Sequence, residues 1–341
     1  MAVPKVCVSI VTFNSRRYMD RCLEAVLAQT GVDFEVVIVD NASTDGTRQW
    51  LKGVRDRRVR VVYNERNVGF AAAQNQCIAL SGSHWVLTLN PDVLLLPGFL
   101  RRLSEAGDAD SRIGSVCGKL LAIGSDFSPW PEPRIDSAGI YFTPAMRHFD
   151  RGWHEPDDGR FNDREYVFGA CAAAALYRRE MIRDVALADG FFDPDFFAYR
   201  EDADVAWRAQ LLGWRCLYAP EAQAYHVRRV TPGRRFSIPA ELNMHSVKNR
   251  FLMRVKNLTG GLGRQCGVAA TLRDLAVVGG CLLFEQRSLP AFWRIARLLP
   301  KALEKRREIM RRRRVSDEEM IRWFRAEPVA EPAPQLALRA H

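Results

Sequence analysis

The chain has 341 residues, of which 48% are hydrophobic, enough for the core of one large domain with an extension or of two domains. Its eight cysteines form no C-x-x-C pair and most sit among apolar neighbours, which fits reduced thiols of the cytoplasm better than a disulfide framework or a zinc site. The net charge of +10 is unevenly placed: residues 1–227 carry 26 Lys+Arg against 30 Asp+Glu, whereas residues 228–325 carry 23 against 8, so the basic region has a partner of its own.

At the start, "VCVSIVTFN" is too short and too polar for the apolar core of a secretory signal, and it begins an alternation instead. "VCVSIVTF" predicts a strand and "RRYMDRCLEAVLAQT" an amphipathic helix. "FEVVIVD" predicts a second strand, followed by "DGTRQWLKGV", a helix capped by Asp45 or Thr44. "VRVVY" is a third strand, and "GFAAAQNQCIAL" a helix that begins after Asn67-Val68-Gly69. "WVLTLN" is a fourth strand, ending near Asn90 because Pro91 cannot donate to a sheet. "PGFLRRLSEA" then predicts a helix and "GSVCGKLLA" a fifth strand. Nearly continuous apolar strands alternating with helices predict an α/β fold whose mainly parallel sheet is covered on both faces. Ligands of such sheets bind outside the carboxyl ends of the strands. There this chain delivers Thr12-Phe13-Asn14, Asp40-Asn41, Asn64 and Asn90-Pro91-Asp92.

From about residue 122 to 165 the pattern dissolves among prolines, aspartates and aromatics, as in a substrate loop region. "YVFGACAAAALYR" resumes as a strand, with a short helix from Arg179. "GFFDPDFFAYREDADVAWRAQLLGW" reads as a loop leading into a helix with Gly213 as its C-cap. "RCLYAP" and "AQAYHV" read as two short strands, and beyond Arg228 the chain is helical and basic. The Pro/Ala-rich end, 326–341, is expected to be disordered.

The dinucleotide fingerprint G-x-G-x-x-G is missing from the first strand-to-helix turn, and no Walker A, H-E-x-x-H or G-x-S-x-G motif is present. The carboxylates at strand ends therefore need another reading. Asp40 either caps the turn "DNASTDG" or reaches a ligand, and Asp92 either caps the segment after Pro91 or forms an oxygen-rich corner with Asn90. Such a corner suits Mg²⁺, which takes one or two carboxylates and completes its shell with water and diphosphate oxygens. In "FFAYREDADVAWRAQLLGW", Asp202 shares a helical stripe with Val205, Ala209 and Leu212 and points towards the core side. Asp204 stacks on Arg208 at i+4 as a surface ion pair, and Glu201 lies between the two faces. A lone histidine such as His226 is structural or a ligand; its combination with Asp92 favours the second reading.

Taken in order, "SIVTFNS", "VVIVDNASTDGT", "NVGFAAAQN", "LTLNPDVLLLPG", "FGACAAAALYRREM", "GFFDPDFFAYREDADVAWRAQLLGWR" and "YHV" resemble the inverting family 2 glycosyltransferases of the GT-A fold, most of all the bacterial rhamnosyltransferase-like branch. The resemblance covers about residues 5–230. It implies that Thr12, Phe13, Asn14, Asp40, Asn67, Gly69, Asn90 and Glu201 surround a nucleotide-sugar. It further implies that Asp92 of Asn-Pro-Asp meets a divalent ion, Mg²⁺ or Mn²⁺, with His226 as a second ligand, and that Asp202 is the base. One departure is "AAQN" where "AANN" is more usual.

The expected organisation is a GT-A catalytic domain over 1–230, with donor binding at about 1–120 and the acceptor side at about 121–230, and a basic helical region over 231–325. The expected activity is inverting transfer of a sugar, L-rhamnose from dTDP-rhamnose, to a cell-envelope glycan or lipid-linked glycan. Transfer of another sugar, such as a hexose or galactofuranose, and a non-catalytic glycan- or nucleic-acid-binding protein are the rivals. No nucleic acid is expected as partner, because "KRREIMRRRR" holds no aromatic stacking platforms. The basic region is read instead as a peripheral contact with an anionic membrane at its cytoplasmic face. In "LPAFWRIARLLPKALEKRREIMRRRR", Phe292, Trp293, Ile295, Leu298 and Leu299 stand beside Arg294, Arg297 and Lys301 in an amphipathic helix broken at Pro300. "CGVAATLRDLAVVGGCLLF" carries Arg273 and Asp274 near its middle, which argues against a simple spanning helix and for shallow insertion.

Overall fold

The computed structural model describes residues 3–228 and 240–333. The first strands are β1 (Val6–Thr12), β2 (Phe34–Asp40), β3 (Val59–Tyr63) and β4 (Trp85–Leu89), joined by α1 (Arg16–Leu27), α2 (Thr47–Leu51) and α3 (Phe70–Ala79). They pair in parallel in the spatial order β3-β2-β1-β4. Alternation explains why β1 and β2 are apolar throughout. Cys7, Val11, Val37 and Val39 enter one core, beneath α3, and Val6, Val8, Ile10, Val36 and Ile38 enter the other, beneath α1. Gly46 occupies the N-cap of α2, and Asp45 instead accepts from Thr47 N at 3.1 Å and from Arg16 N at 2.9 Å, so one carboxylate serves two helix starts.

Next come β5 (Val93–Leu95), α4 (Phe99–Asp108) and β6 (Ile113–Ala122). The irregular stretch then contributes β7 (Ile135–Ser137), β8 (Ile140–Phe142), β9 (His148–Asp150) and β10 (Glu165–Val167). The single strand expected at "YVFGACAAAALYR" is split into β10 and β11 (Ala174–Arg178). Beyond β4 the sheet is mixed, because β11 runs antiparallel between β4 and β6. After α5 (Arg179–Val185) and α6 (Glu201–Leu211) comes β12 (Arg215–His226), one long strand in place of the two expected. Its register against β6 shifts between Ala219 and Gln223, where Pro220 interrupts the ladder.

The C-terminal helices are α7 (Ala240–Asn257), α8 (Gly260–Leu283), α9 (Pro290–Arg312) and α10 (Asp317–Ile321). Leu252 and Met253 of α7 and Ala302 and Ile309 of α9 enter the same core as α6, so these helices are packed on the sheet-bearing part of the chain. The expected break at Pro300 is absent: α9 runs through it, with the proline exposed. The expected disorder from 326 is corrected at Glu331–Pro332, β13, which pairs with β10; residues 334–341 of that tail lie outside the described residues. So does the boundary expected at 230. All eight cysteines are free thiols, seven of them buried.

Candidate active site

Two adjoining cavities of about 640 and 470 Å³ open at the carboxyl ends of β1, β2 and β4 and share Phe70, Asn90, Asp92, Ala198 and Leu242 in their walls. Phe13, Asn41, Asn67 and Gly69 line the larger one. Glu201, Asp202, His226, Asp150 and Arg228 line the smaller. Thr12 and Asp40 are fully buried one layer behind: Thr12 Oγ1 donates to Asp40 at 3.1 Å, and Asp40 receives Ser43 N at 3.3 Å and lies 3.4 Å from Arg48 Nε. Asn14 accepts from Thr44 N at 2.8 Å and holds the loop. The lining residue at this strand end is Asn41, whose side chain donates to Asn67 Oδ1 at 2.7 Å and accepts from Val68 N at 3.0 Å. Gly69 is required here by φ +86° and by Phe197, which would lie 2.6 Å from an added Cβ. Asn75 binds both backbone groups of Phe192 and is structural.

Asp92 and His226 meet through strand pairing. In the antiparallel register of β5 and β12, His226 faces Val93, and Val227 N donates to the Asp92 carbonyl at 3.0 Å. His226 Nε2 then lies 3.6 Å from Asp92 Oδ1, with both facing the crevice. On its other side Nδ1 lies 2.7 Å from Asp136, a buried carboxylate that also takes Arg228 Nε at 2.7 Å. Burial disfavours the imidazolium, but Asp136 and Asp92 outweigh it and push His226 up to about 10. A carboxylate and an imidazole side by side, the ring oriented from behind by a second carboxylate, form a donor set that fits Mn²⁺ or Mg²⁺ once the cation replaces the proton. Asp136 and Asp150 went unread because 122–165 has no periodicity; Arg228, outside that stretch, had a signal in its adjacency to "YHV".

Asp202 opens α6. Its carboxylate accepts from Ala172 N at 3.2 Å and Ala203 N at 2.7 Å and remains part of the crevice wall. Burial raises its pKa against those two amides, with Asp150 adding to the rise. Glu201 is pushed up to about 8 by burial and by Asp202, and its Oε2 has no partner. Phe197, Tyr199 and Arg200 all hold positive φ in the turn before α6, a strained entry held by α7. The Asn249 side-chain amide donates to the carbonyls of Phe196, Ala198 and Tyr199, and Arg200 Nε donates to Ser246 O at 3.0 Å. Glu241 and Leu242 of α7 line the larger cavity directly. The C-terminal region is thus part of the site.

Asp204 pairs with Arg208 as expected, but both are fully buried, not at the surface. Asp204 also lies 2.9 Å from Lys256 Nζ and accepts from Asn257 at 2.8 Å. Nearby, Asp189, Asp193 and Asp195 bring oxygens within 4.8 Å of one another, a spacing that would suit a cation. That cation is Lys305: its ammonium lies 2.8, 2.6 and 2.8 Å from the three. The cluster is an ion-pair latch between the segment before α6 and α9.

Comparison with known proteins bears on the family and the fold. The sequence model of the family described as glycosyl transferase family 2 matches residues 7–186. An N-acetylglucosaminyl-diphospho-decaprenol L-rhamnosyltransferase of Mycobacterium tuberculosis is 28% identical over 247 residues, 66% of this chain and 76% of the relative. Two solved structures share the fold. One is a mannosyltransferase of Pyrobaculum calidifontis in complex with GDP-Man and Mn²⁺ (TM-score 0.51, 18% identity, 94% of this chain and 86% of that one). The other is GalNAc-T7 with UDP, GalNAc and Mn²⁺ (TM-score 0.58, 16% identity, 74% of this chain and 48% of that one).

Proposed function

Since the chain belongs to glycosyltransferase family 2 and has the GT-A fold, we propose that it is a metal-dependent, inverting enzyme that moves L-rhamnose from dTDP-rhamnose to a hydroxyl of a cell-envelope, lipid-linked glycan. The observation that carries this reading is the crevice in which Asp92 and His226 stand between a nucleotide-sized cavity and the half-buried carboxylate of Asp202. The choice of sugar and acceptor is supported by the printed function of the mycobacterial relative.

In this reading Phe13, Asn41, Asn67 and Gly69 receive the nucleoside, with Thr12 and Asp40 holding their loops from behind. Asp92 and His226 would hold Mn²⁺ or Mg²⁺, which when bound would supply positive charge against the diphosphate. Asp136 keeps the His226 ring turned so that Nε2 faces the crevice. Asp202 takes the proton of the acceptor hydroxyl as its oxygen attacks the anomeric carbon opposite the leaving diphosphate; one displacement inverts that carbon. The raised pKa of Asp202 makes it the stronger base near neutral pH. Its two backbone amides hold the carboxylate in place. The eight free thiols support a cytoplasmic site of action.

The test is incubation with a panel of nucleotide-sugars, with and without Mn²⁺, following release of nucleoside diphosphate. Turnover of dTDP-rhamnose above the other donors, lost in chelator, is the expected result. Preference for a UDP-hexose or UDP-galactofuranose would replace the donor, and no turnover of any donor would remove the catalytic reading.

A further inference from the structure

Nine of the eleven large hydrophobic side chains exposed among the described residues lie between Val268 and Leu303. Their arrangement on α8 inverts that of an ordinary surface helix. Val268, Leu272, Leu275 and Leu282, spaced by fours, threes and sevens, face outward, and Leu272 and Leu275 are 63% and 64% exposed. The acidic residue turns inward: Asp274 takes Arg250 Nε at 3.0 Å and is paired with Arg254, both on α7. The outer stripe runs on into the turn between α8 and α9 through Leu283 and Phe284, the latter 78% exposed, and on to Trp293. α9 itself behaves differently from its sequence pattern: Phe292, Ile295 and Leu298 pack inward, and Lys301 is bound to Asp189 and Asp195.

We propose that the outer face of α8 and the turn after it form a docking surface for an anionic lipid bilayer, on which α8 lies flat. A stripe of leucines edged by an exposed Trp suits the acyl–headgroup boundary. Arg264, Arg287 and Arg297 are exposed on the same two helices and their turn, and Arg297 lies 5.6 Å over the Trp293 ring, so cations are at hand for anionic headgroups. α8 is long and apolar enough to cross a membrane by length and composition. A crossing would place Asp274 in hydrocarbon and break its two arginine pairs, which are fixed to the catalytic part through α7. Lying flat keeps both.

The surface is one helix away from the crevice. Glu241 and Leu242 in the first turn of α7 line the crevice, while Ala240 and Asn243 of the same turn line a cavity of about 460 Å³ together with Leu283, Phe284 and Arg287. Docking therefore brings the acceptor side close to headgroup level. This deepens the reading of a lipid-linked acceptor and rests on it only for the purpose of docking. Vesicle binding needs no substrate, so its failure leaves the sugar-transfer reading standing.

The experiment is flotation of the full chain with phosphatidylglycerol vesicles and with phosphatidylcholine vesicles. The intact protein is expected to float with the anionic vesicles and to be released by salt. The double variant Leu272→Glu/Leu275→Glu, at exposed positions, should lose roughly tenfold or more in partitioning while its donor hydrolysis is unchanged. No flotation with either vesicle, or undiminished flotation of the variant, overturns the proposal. So does a concentration-dependent dimer abolished by the same variant without vesicle binding, since a second copy would then be the occupant.

Discussion

The side-chain amide of Asn249 donates to the carbonyl of Tyr199 at 2.7 Å, tying a helix of the basic C-terminal region to the strained turn that leads into Asp202. The same amide reaches the carbonyls of Phe196 and Ala198, both at 2.9 Å. Asn249→Ala takes a donor from these carbonyls, of which Phe196 keeps the Ala198 amide, at a cost of about 1–3 kcal/mol. The turn should relax and turnover should fall while donor affinity holds. Asn249→Asp, which offers acceptors only, should do no better. Steady-state kinetics with a thermal melt checks this; unchanged kcat in both variants would show that the turn holds itself.

Asp202→Asn is expected to lower turnover by about a hundredfold or more, the lower scale for losing a general base. Glu201→Gln should be far milder near neutral pH, since Glu201 is held protonated up to about 8. The sign for stability follows. Between the ordinary glutamate range and pH 8 the folded state binds a proton that the unfolded state has released, so wild-type stability falls as pH rises through that window. Glu201→Gln removes this dependence and should melt higher than wild type at pH 8, with a smaller difference at pH 5. An equal difference at both pH values would contradict the raised pKa.

Asp92→Asn keeps shape but removes charge at the proposed cation position, and most activity should go with it. Asp136 touches no substrate in this reading; it orients His226. Asp136→Asn should weaken Mn²⁺ binding by roughly ten- to a hundredfold, the usual scale for losing such a partner. Calorimetric titration of Mn²⁺ in the presence of nucleoside diphosphate reads both. Full activity in excess chelator would remove the metal from the mechanism.

The latch of Lys305 on Asp189, Asp193 and Asp195 should be a stability element. Among the described residues, Lys305→Ala leaves the buried Asp193 with Lys256 alone, and Asp189 and Asp195 with Lys301 alone, and is expected to cost about 1–3 kcal/mol. Although burial opposes ionisation, Lys256 and Lys305 hold the Asp193 carboxyl well below its usual range, and the carboxylates raise Lys305. Stabilisation from Asp193 is complete above the ordinary carboxylate range and is lost as pH falls towards its depressed value. That from Lys305 is complete below the ordinary lysine range and is lost only as pH rises through its raised value. Melting temperature should therefore be flat through neutrality and drop in acid, with a shallower acid drop in Lys305→Ala. Asp204→Asn, in the adjoining buried network, should also destabilise. A melting temperature unmoved by either substitution would show that these ion pairs carry no energetic weight.

The chain's local pattern determined much by itself. Apolar runs in β1, β2 and β4, buried on both faces, announced the sheet, and Pro91 announced where β4 stops. Asp92, Asp202 and His226 were singled out because they stand at strand and helix ends in an order that resembles a family. Tertiary structure decided what no period or spacing encodes. It turned Asp204 and Arg208 into a fully buried pair, because α7 covers the helix face that amphipathic spacing had left to solvent. It brought Asp136 behind His226 across ninety residues through an irregular segment with no signal. It seated α9 on the acidic cluster and left the apolar stripe of α8 uncovered, because a helix shows which residues share a face, whereas only packing determines which face is buried.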